Sequence, residues 1–183
     1  MDENAFNERK KDLQQILSDV EKLSNSSNII ELIRFANWIK RKLELQMNSQ
    51  LNSVQKMVCH RGEIFWAVFG QNIGSEQNLR RPVIILQNNR GNIFGPTTIV
   101  APITDSDNKK RLPVEIPIKI IDPVNKVNLV YGLIKLQQIR VISKARLEDK
   151  ICDLNDKNLL KENPHIPDLV SAINRACKIS LGL

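Results

Sequence analysis

The spacing of apolar residues divides this chain into a helical part and a part rich in strands. In residues 6–23, and again in residues 29–43, apolar positions recur at helical spacing, which predicts two amphipathic α-helices. The polar run at residues 24–28 interrupts this pattern and offers N-cap side chains for the second helix. Residues 1–56 are therefore predicted to form an N-terminal helical hairpin, whose last residues, 51–56, connect it to the rest of the chain.

After Val58 the apolar period falls to two, which is typical of β-strands. Strands are predicted at residues 62–69, 81–87, 97–104, 114–118, 129–136 and 140–142. The predicted connections are a long polar loop at 70–80, a turn rich in Asn, Gly and Pro before residue 97, and a charged loop at 105–111. Pro117 and Pro123 indicate an edge strand or an interruption in that region.

One more amphipathic helix is predicted at residues 166–181, after the strands. Short strands at close intervals followed by one helix indicate an α+β fold, in which a small, strongly bent barrel is capped by that helix. The chain is therefore predicted to have two parts, the hairpin at residues 1–56 and a barrel domain at residues 57–183.

Composition and charge narrow the class of partner. Apolar residues make up 42% of the 183 residues but aromatic residues only 4%, so aliphatic side chains must fill the core. The formal net charge is +7. Residues 1–56 hold 9 basic and 8 acidic residues, whereas residues 57–183 hold 18 basic and 12 acidic residues. The positive excess therefore lies in the predicted barrel, which favours a polyanionic partner such as nucleic acid.

The cysteines and the apolar runs exclude other classes. Cys59, Cys152 and Cys177 are odd in number and widely spaced, which argues against a disulfide framework or a zinc site and favours small buried apolar residues. The polar, acidic N-terminus does not resemble a signal peptide. No apolar run approaches the roughly 18 residues that a membrane span needs. We expect a cytoplasmic protein that contacts no membrane and holds no metal.

A polar cluster at the strand ends carries the candidate chemistry. Ser75, Glu76 and Gln77 lie in the loop before Arg81, which begins an apolar strand, and Thr104 ends the following strand. Strand ends hold polar groups rigidly, as active sites require. This segment contains no histidine, no cysteine and no pair of carboxylates. A guanidinium, a carboxylate, an amide and a hydroxyl together suit the binding and transfer of a phosphate.

Nine short motifs in this order resemble the MazF/PemK family of toxins from toxin–antitoxin systems. They are Arg61-Gly62-Glu63-Ile64, Gly74-Ser75-Glu76-Gln77, Arg81-Pro82, Gln87-Asn88, Gly91-Asn92, Pro96-Thr97, residues 99–104, Gln138-Ile139-Arg140 and residues 144–147. The resemblance runs from about Val58 to the C-terminus, and residues 1–56 lie outside it.

The resemblance implies an SH3-like barrel of the CcdB/MazF type, a homodimer and a cognate antitoxin. It also implies cleavage of single-stranded RNA without metal or cofactor, which leaves 2′,3′-cyclic phosphate and 5′-hydroxyl ends. By this resemblance Arg81 and Thr104 are catalytic residues. Glu76 is also predicted to be catalytic, and the residues predicted to bind RNA are Ser75, Gln77, Gln87 and Asn88. Glu76 would pair with Arg81 until RNA arrives. Phe69 and Phe94 are possible stacking residues, although core packing is the preferred interpretation for both.

Departures from the family pattern leave alternatives open. Asn78 and Leu79 stand where family members often carry glycines, and Arg80 stands where a small or apolar residue is common. A catalytically silent member that binds RNA or a protein is one alternative. A gyrase poison of the CcdB type is less favoured, because the C-terminal tryptophan of that subgroup is missing. Residues 1–56 could be an accessory or dimer contact, or could cover the RNA groove.

Overall fold

The computed structural model describes residues 3–23, 29–50, 57–105 and 112–183. The predicted break between the helices, the connection at 51–56 and most of the loop at 105–111 lie outside these described residues. By the contacts of its backbone, the chain divides into two compact units, residues 1–41 and residues 42–183. The predicted division between residues 56 and 57 stays a prediction.

The two N-terminal helices are present where the apolar spacing predicts helix. Helix α1 spans Glu3–Leu23 and helix α2 spans Ile29–Asn48. Their apolar residues are largely exposed, for example Ile16 at 58% and Ile30 at 64%, whereas Leu45 near the end of α2 is buried. The pattern therefore predicts these helices correctly, but most of the apolar stripe is not buried against the described residues.

The remaining elements alternate between strands and short helices. In chain order they are β1 (Glu63–Gly70), β2 (Leu79–Ile85), α3 (Asn89–Phe94), β3 (Thr97–Thr104), β4 (Glu115–Ile121), β5 (Asn128–Lys135), β6 (Arg140–Ser143), β7 (Leu147–Asp153), α4 (Lys157–Glu162) and α5 (Ile166–Leu181). All strand pairs are antiparallel. The order across the sheet is β4-β5-β3-β2-β1-β7, and β6 pairs with β3 beside β5.

Two apolar cores lie on the two faces of the central strands. The first core fills the small barrel formed by β7, β1, β2, β3 and β6, and includes Phe65, Phe69, Val83 and Val100. The second core lies between the opposite face of these strands, the β4–β5 hairpin and α5. Alternate residues of β1, β2 and β3 serve the two cores, so these strands are almost continuously apolar. The predicted α+β fold with a bent barrel and a C-terminal helix is confirmed.

The edge position of β4 agrees with its proline. Pro117 lies within β4, which is the outermost strand of the sheet, so its missing N–H removes no bond to a central neighbour. This strand continues to Ile121, three residues beyond its predicted end, because Ile118 and Ile120 are buried in the second core.

Three elements were not predicted. The turn after β2 contains the short helix α3, whose N-cap is the Asn88 side chain, which accepts from the Gly91 N–H at 2.8 Å. Strand β7 carries charged residues at Glu148, Asp149 and Lys150, so its alternation is weak. Helix α4 has six residues, too few for a helical period to show.

The cysteines behave as small buried residues, as expected. Cys59 and Cys152 are buried, Cys177 is half-buried, and all three are free. Burial raises the pKa of the Cys152 thiol to about 12 and raises the pKa of Cys59 as well. Within the described residues, no helix is long and apolar enough to cross a membrane, and no group of three or more His, Cys, Asp and Glu side chains could hold a metal ion.

Lys144, between β6 and β7, is a buried cation that joins distant segments. Its side chain is 1% exposed and donates to the main-chain carbonyls of Met57, at 2.8 Å, and of Asn92. Met57 precedes β1 and Asn92 lies in α3, so one ammonium group holds two segments against the barrel. These bonds supply a donor to each of the two carbonyl groups.

We predict that Lys144→Met lowers the free energy of unfolding by roughly 1.5–3 kcal/mol, the usual worth of hydrogen bonds to a charged group. Methionine keeps most of the volume but leaves both carbonyls without their donor. Urea denaturation followed by circular dichroism measures the change. Lys157→Met, at an exposed position, is the control and should change stability by less than about 0.5 kcal/mol. Equal effects of the two substitutions would contradict this role of Lys144.

Candidate functional site

The pairing of β2 with β3 brings Arg81 and Thr104 to the same place. The register joins Val83 to Pro102 and Ile85 to Val100. If the same register continues for two more residues, Arg81 lies opposite Thr104. Both then lie on the face of the sheet that also carries Val83. The two predicted catalytic residues are 23 positions apart in the chain, and the sheet alone makes them neighbours.

Arg81 and Thr104 line one cavity of about 310 Å³ at these strand ends. Its wall also includes Trp66, Asp105 and Tyr131, which were not predicted as site residues. Tyr131 is 60% exposed on the β4–β5 hairpin, and it is the one tyrosine of the chain. A single tyrosine at an outward position of a strand could have been noticed, but the alternation does not show which cavity it faces.

The Arg81 side chain is half-buried and held by the loop that precedes it. Its Nε donates to the main-chain carbonyl of Asn78 at 2.9 Å. Among the described residues this is the bond that holds the guanidinium, so four of its five N–H donors remain for a ligand. Arg81 forms no ion pair with Glu76 within the described part of the chain, so the predicted resting pair is not seen.

Arg80, beside Arg81, is held on the other face of β2. Its guanidinium carbon lies 4.1 Å from the centre of the Trp66 ring, and its Nε donates to Glu148 at 2.5 Å. The cation–π contact and the ion pair both fix this side chain at the rim of the cavity. Alternation along the strand predicts this orientation, and Arg80 was assigned no catalytic role.

Ser75, Glu76 and Gln77 lie on a second cavity of about 560 Å³. Gln138 and Arg140 complete much of its wall. The Gln138 side chain accepts from the Gln77 N–H at 3.0 Å and donates to the Ser75 carbonyl at 3.1 Å. The loop before β2 is thereby fastened to the segment before β6, which lies about 60 residues later in the chain.

Arg140 is in the wall of the second cavity, and Arg146 is close enough to interact with its charge. Arg140 lies over the buried Phe69 ring, with its guanidinium carbon 5.2 Å from the ring centre. Arg146 donates to the carbonyls of Val68 and Phe69 at 2.9 and 3.0 Å. Burial lowers the pKa of Arg146, and the neighbouring charge of Arg140 lowers it further.

Phe69 is a core residue, as preferred, whereas Phe94 is 80% exposed, so core packing was the wrong interpretation for Phe94.

Gln87 and Asn88 lie at the far end of β2. Gln87 is six positions after Arg81, which corresponds to roughly 20 Å along a strand. Here Gln87 donates to the Thr97 carbonyl at 3.3 Å, and Asn88 caps α3. The structure therefore does not bring these two predicted RNA-binding residues into either cavity of this chain.

Leu79 begins β2 in a backbone conformation that is unusual for leucine. It enters β2 with φ of 67°, a left-handed conformation that favours glycine. A bulge lies opposite, between Val68 and Gly70 of β1. The loop therefore reaches the strand through an unusual backbone conformation even though the residue is a leucine.

The fold and the two cavities define a small barrel protein with cationic, polar sites at its strand ends. The family profile described as PemK-like, MazF-like toxin of type II toxin–antitoxin system matches residues 60–165. Endoribonuclease EndoA of Bacillus subtilis is 37% identical over 127 residues, which cover 69% of this chain and 97% of that protein. Endoribonuclease MazF of Staphylococcus saprophyticus is 40% identical over 124 residues, which cover 67% and 91%. The chain belongs to the PemK/MazF toxin family.

Solved structures of this family share the fold. MazF from Deinococcus radiodurans matches with a TM-score of 0.52 and 19% identity over 69% of this chain and 99% of that one. An endoribonuclease in complex with its cognate antitoxin, from a mycobacterial species, matches with a TM-score of 0.51 and 19% identity over 69% and 97%. The predicted family is confirmed. The predicted enzyme class, endoribonuclease, is confirmed by the names of the relatives. Residues 1–56 contribute nothing to the family profile.

We predict that Gly132→Ala disturbs the candidate site through the backbone of Thr104. Gly132, in β5, has φ of 147°, and a Cβ built there would lie 2.2 Å from the Thr104 carbonyl oxygen. The strands must separate to admit a methyl group, which should lower the free energy of unfolding by roughly 1–3 kcal/mol. Thermal and urea denaturation measure the loss.

Gly74→Ala is the matched control for this substitution. Gly74 also has a positive φ, 59°, but nothing lies within 4 Å of its Cβ position. Its cost should be only that of the left-handed conformation, about 1 kcal/mol. An equal or larger loss for Gly74→Ala would show that the close approach to Thr104 is not the cause.

Proposed function

We propose that this protein is an endoribonuclease toxin that cleaves single-stranded RNA, such as mRNA in the cytoplasm, at preferred sequences. The observation that carries the proposal is the cavity at the strand ends that both Arg81 and Thr104 line. The barrel at residues 57–183 is the proposed catalytic domain, and residues 1–56 are a proposed accessory part. Family membership and two endoribonuclease relatives support the reaction class.

The proposed reaction is an attack of the 2′-hydroxyl on its own phosphate. The O2′–P bond forms, the P–O5′ bond breaks, the 2′-hydroxyl proton leaves and O5′ gains a proton. The products are a 2′,3′-cyclic phosphate and a 5′-hydroxyl. Nucleophile and leaving group both belong to the substrate, so proximity is inherent and no cofactor is consumed. The protein must mainly stabilise the negative charge that develops on the phosphate.

Arg81 suits this charge stabilisation. A guanidinium can donate to two phosphate oxygens at once, which an ammonium group cannot do with the same geometry. Its Nε is already held by the Asn78 carbonyl, so the group is oriented before RNA binds. A free guanidinium pKa above about 12 makes Arg81 a poor proton donor, so we assign it charge stabilisation.

Thr104 and the loop residues complete the proposal. The Thr104 hydroxyl orients the 2′-hydroxyl or a phosphate oxygen, and Ser75 and Gln77 contact RNA from the loop. Gln87 and Asn88 are proposed RNA contacts at the far end of β2. Glu76 stays a predicted catalytic residue, although it lines the second cavity rather than the one that holds Arg81.

The proposed assembly is a homodimer that a cognate antitoxin inhibits. A mycobacterial endoribonuclease of the same fold was solved with its cognate antitoxin, which supports an antitoxin partner here. A catalytically silent member that only binds RNA or a protein is the alternative, and cleavage assays decide between the two.

We predict that Arg81→Ala abolishes most RNA cleavage. Loss of one donor that stabilises transition-state charge usually costs about 10²–10³ in rate. The assay is cleavage of a long single-stranded RNA in EDTA, with new 5′ ends mapped and tested for 5′-hydroxyl groups. Arg175→Ala, at an exposed position of α5, is the matched control and should retain full activity. Undiminished cleavage by folded Arg81→Ala would contradict the assignment.

We predict that Thr104→Val lowers the cleavage rate by about 10- to 100-fold, while Thr104→Ser retains most of it. Valine keeps the shape of threonine but removes the hydroxyl, whereas serine keeps the hydroxyl and removes a methyl group. Single-turnover cleavage of one mapped site, with enzyme in excess, measures the rate. If valine and serine have the same effect, the hydroxyl is not the active group.

A further inference from the structure

The proposed cleavage moves two protons, and the roles of Arg81 and Thr104 account for neither transfer. The 2′-hydroxyl must lose a proton, and O5′ must gain one. Arg81 stabilises charge and is a poor proton donor. Glu76, the carboxylate predicted from the sequence, lines the other cavity. A positioned group that takes or gives a proton usually contributes about 10²–10⁴ in rate, so the cavity of Arg81 and Thr104 needs a base and an acid of its own.

Strand pairing places Tyr131 diagonally across from Thr104. Thr104 pairs with Leu133 between β3 and β5, and Tyr131 is two residues before Leu133. Alternation along β5 therefore puts Tyr131 on the same face of the sheet as Thr104. Such diagonal neighbours lie roughly 7–8 Å apart, a distance that an aromatic side chain can span. Both residues line the cavity of about 310 Å³, so the phenol can reach a phosphate bound beside Thr104.

The main chain that carries Tyr131 is held on both sides. Gly132, the next residue, lies so close to β3 that an added Cβ would be 2.2 Å from the Thr104 carbonyl oxygen. On its other edge, β5 pairs with β4, where Tyr131 is opposite Lys119. The Tyr131 side chain is 60% exposed, so RNA in the cavity has access to it. A reactive group on a rigid strand keeps its position when the substrate binds.

Asp105 supplies the carboxylate of this cavity. It follows Thr104 directly in the chain, is exposed, and is the one acidic side chain that the described residues contribute to this wall. An ionised carboxylate accepts a proton, whereas a phenol carries a proton that it can donate. The remaining charged group, Arg80, is held by the Trp66 ring and by Glu148. The cavity therefore offers one acceptor and one donor for the two transfers.

We propose that Asp105 and Tyr131 are the base and the acid of the proposed cleavage. Asp105 accepts the proton of the 2′-hydroxyl as the O2′–P bond forms, and Tyr131 donates its phenolic proton to O5′ as the P–O5′ bond breaks. The step leaves a carboxylic acid and a phenolate, and passage of one proton between them through solvent restores both. Attacking and leaving oxygens lie in line on opposite sides of phosphorus, which suits two separate residues. This inference rests on the proposed function.

The test of Tyr131 uses an RNA in which sulfur replaces O5′ at one mapped cleavage site. A thiol is a far stronger acid than an alcohol, so a departing thiolate needs no proton from the protein. Single-turnover rates are measured on this RNA and on the ordinary RNA. Tyr131→Phe should slow cleavage of the ordinary RNA about 10²–10⁴-fold but should cleave the sulfur RNA at nearly the wild-type rate. Equal slowing on both RNAs, or none on the ordinary one, would overturn the role of Tyr131.

A second substitution separates proton donation from stacking on a base. Phenylalanine keeps the ring, so a stacking role would leave Tyr131→Phe active and make Tyr131→Leu inactive. That outcome would overturn proton donation by Tyr131. The proposal predicts that both variants lose activity on the ordinary RNA. It also predicts that Tyr131→Phe binds an uncleavable 2′-deoxy oligonucleotide as tightly as the wild type does, measured by fluorescence anisotropy.

The test of Asp105 uses the same two RNAs. Asp105→Asn should slow both by a similar factor, about 10²–10⁴, because the 2′-hydroxyl is the same in each. Asp105→Glu keeps a carboxylate and should retain more activity than Asp105→Asn. Asp168→Asn, at an exposed position of α5, is the matched control and should leave both rates unchanged. Full activity of Asp105→Asn on the ordinary RNA would overturn the role of Asp105 as the base.

The wild-type rates distinguish failure of this inference from failure of the proposed function. If the wild type cleaves neither RNA, the nuclease proposal is wrong and the acid–base pair is overturned with it. If the wild type cleaves both, and Tyr131→Phe and Asp105→Asn cleave them equally well, the nuclease stands and the pair is overturned.

Discussion

The hydrogen-bond ladder between β2 and β3, and the point at which it ends, determine the rest of this site. Leu86 donates to the Ile99 carbonyl at 2.8 Å, so even-numbered residues of β2 direct their main-chain groups toward β3. Along β2 toward Arg81, the next residues whose main chain faces β3 are Ile84 and then Pro82. Pro82 has no N–H to donate. The pairing of β2 with β3 stops at Val83 and Pro102. The cavity of Arg81 and Thr104 lies directly beyond this end of the ladder.

Pro102 is tolerated in β3 because this strand changes partners on its other edge. β6 pairs with residues 97–100 and β5 pairs with residues 103 and 104. Position 102 faces the gap between those two partners, where a missing N–H breaks no bond. The change of partner also brings Gly132 of β5 against the Thr104 carbonyl. Strand β3 thereby carries Thr104 to the rim of the cavity, where pairing with β5 holds its main chain.

The barrel could be predicted because the apolar pattern that indicates each strand is visible within a short stretch of sequence. Successive residues of β1, β2 and β3 face the two cores in turn, and the loop residues fall where these apolar runs stop. The wall of each cavity could not be predicted in this way. Gln138 reaches Gln77 across about 60 residues of sequence, and no periodicity indicates such a contact. Tyr131 has the same difficulty, because the pairing of β3 with β5 decides where it lies. Trp66 lies beside Arg81 because β1 pairs with β2 in the register that joins Trp66 to Pro82.

Under the proposed function, the positions of the predicted residues constrain how RNA would lie on one chain. Arg81 and Thr104 occupy the first cavity, Glu76 and Gln77 the second, and Asn88 lies at the opposite end of β2. Asn78 joins the first two places, since it holds Arg81 and follows Gln77. A strand of RNA that touched both Arg81 and Asn88 of the same chain would have to extend roughly 20 Å along β2. Under the proposed function, RNA bound at Arg81 and Thr104 therefore lies nearest the loop before β2, and Asn88 of the same chain lies at a distance from it.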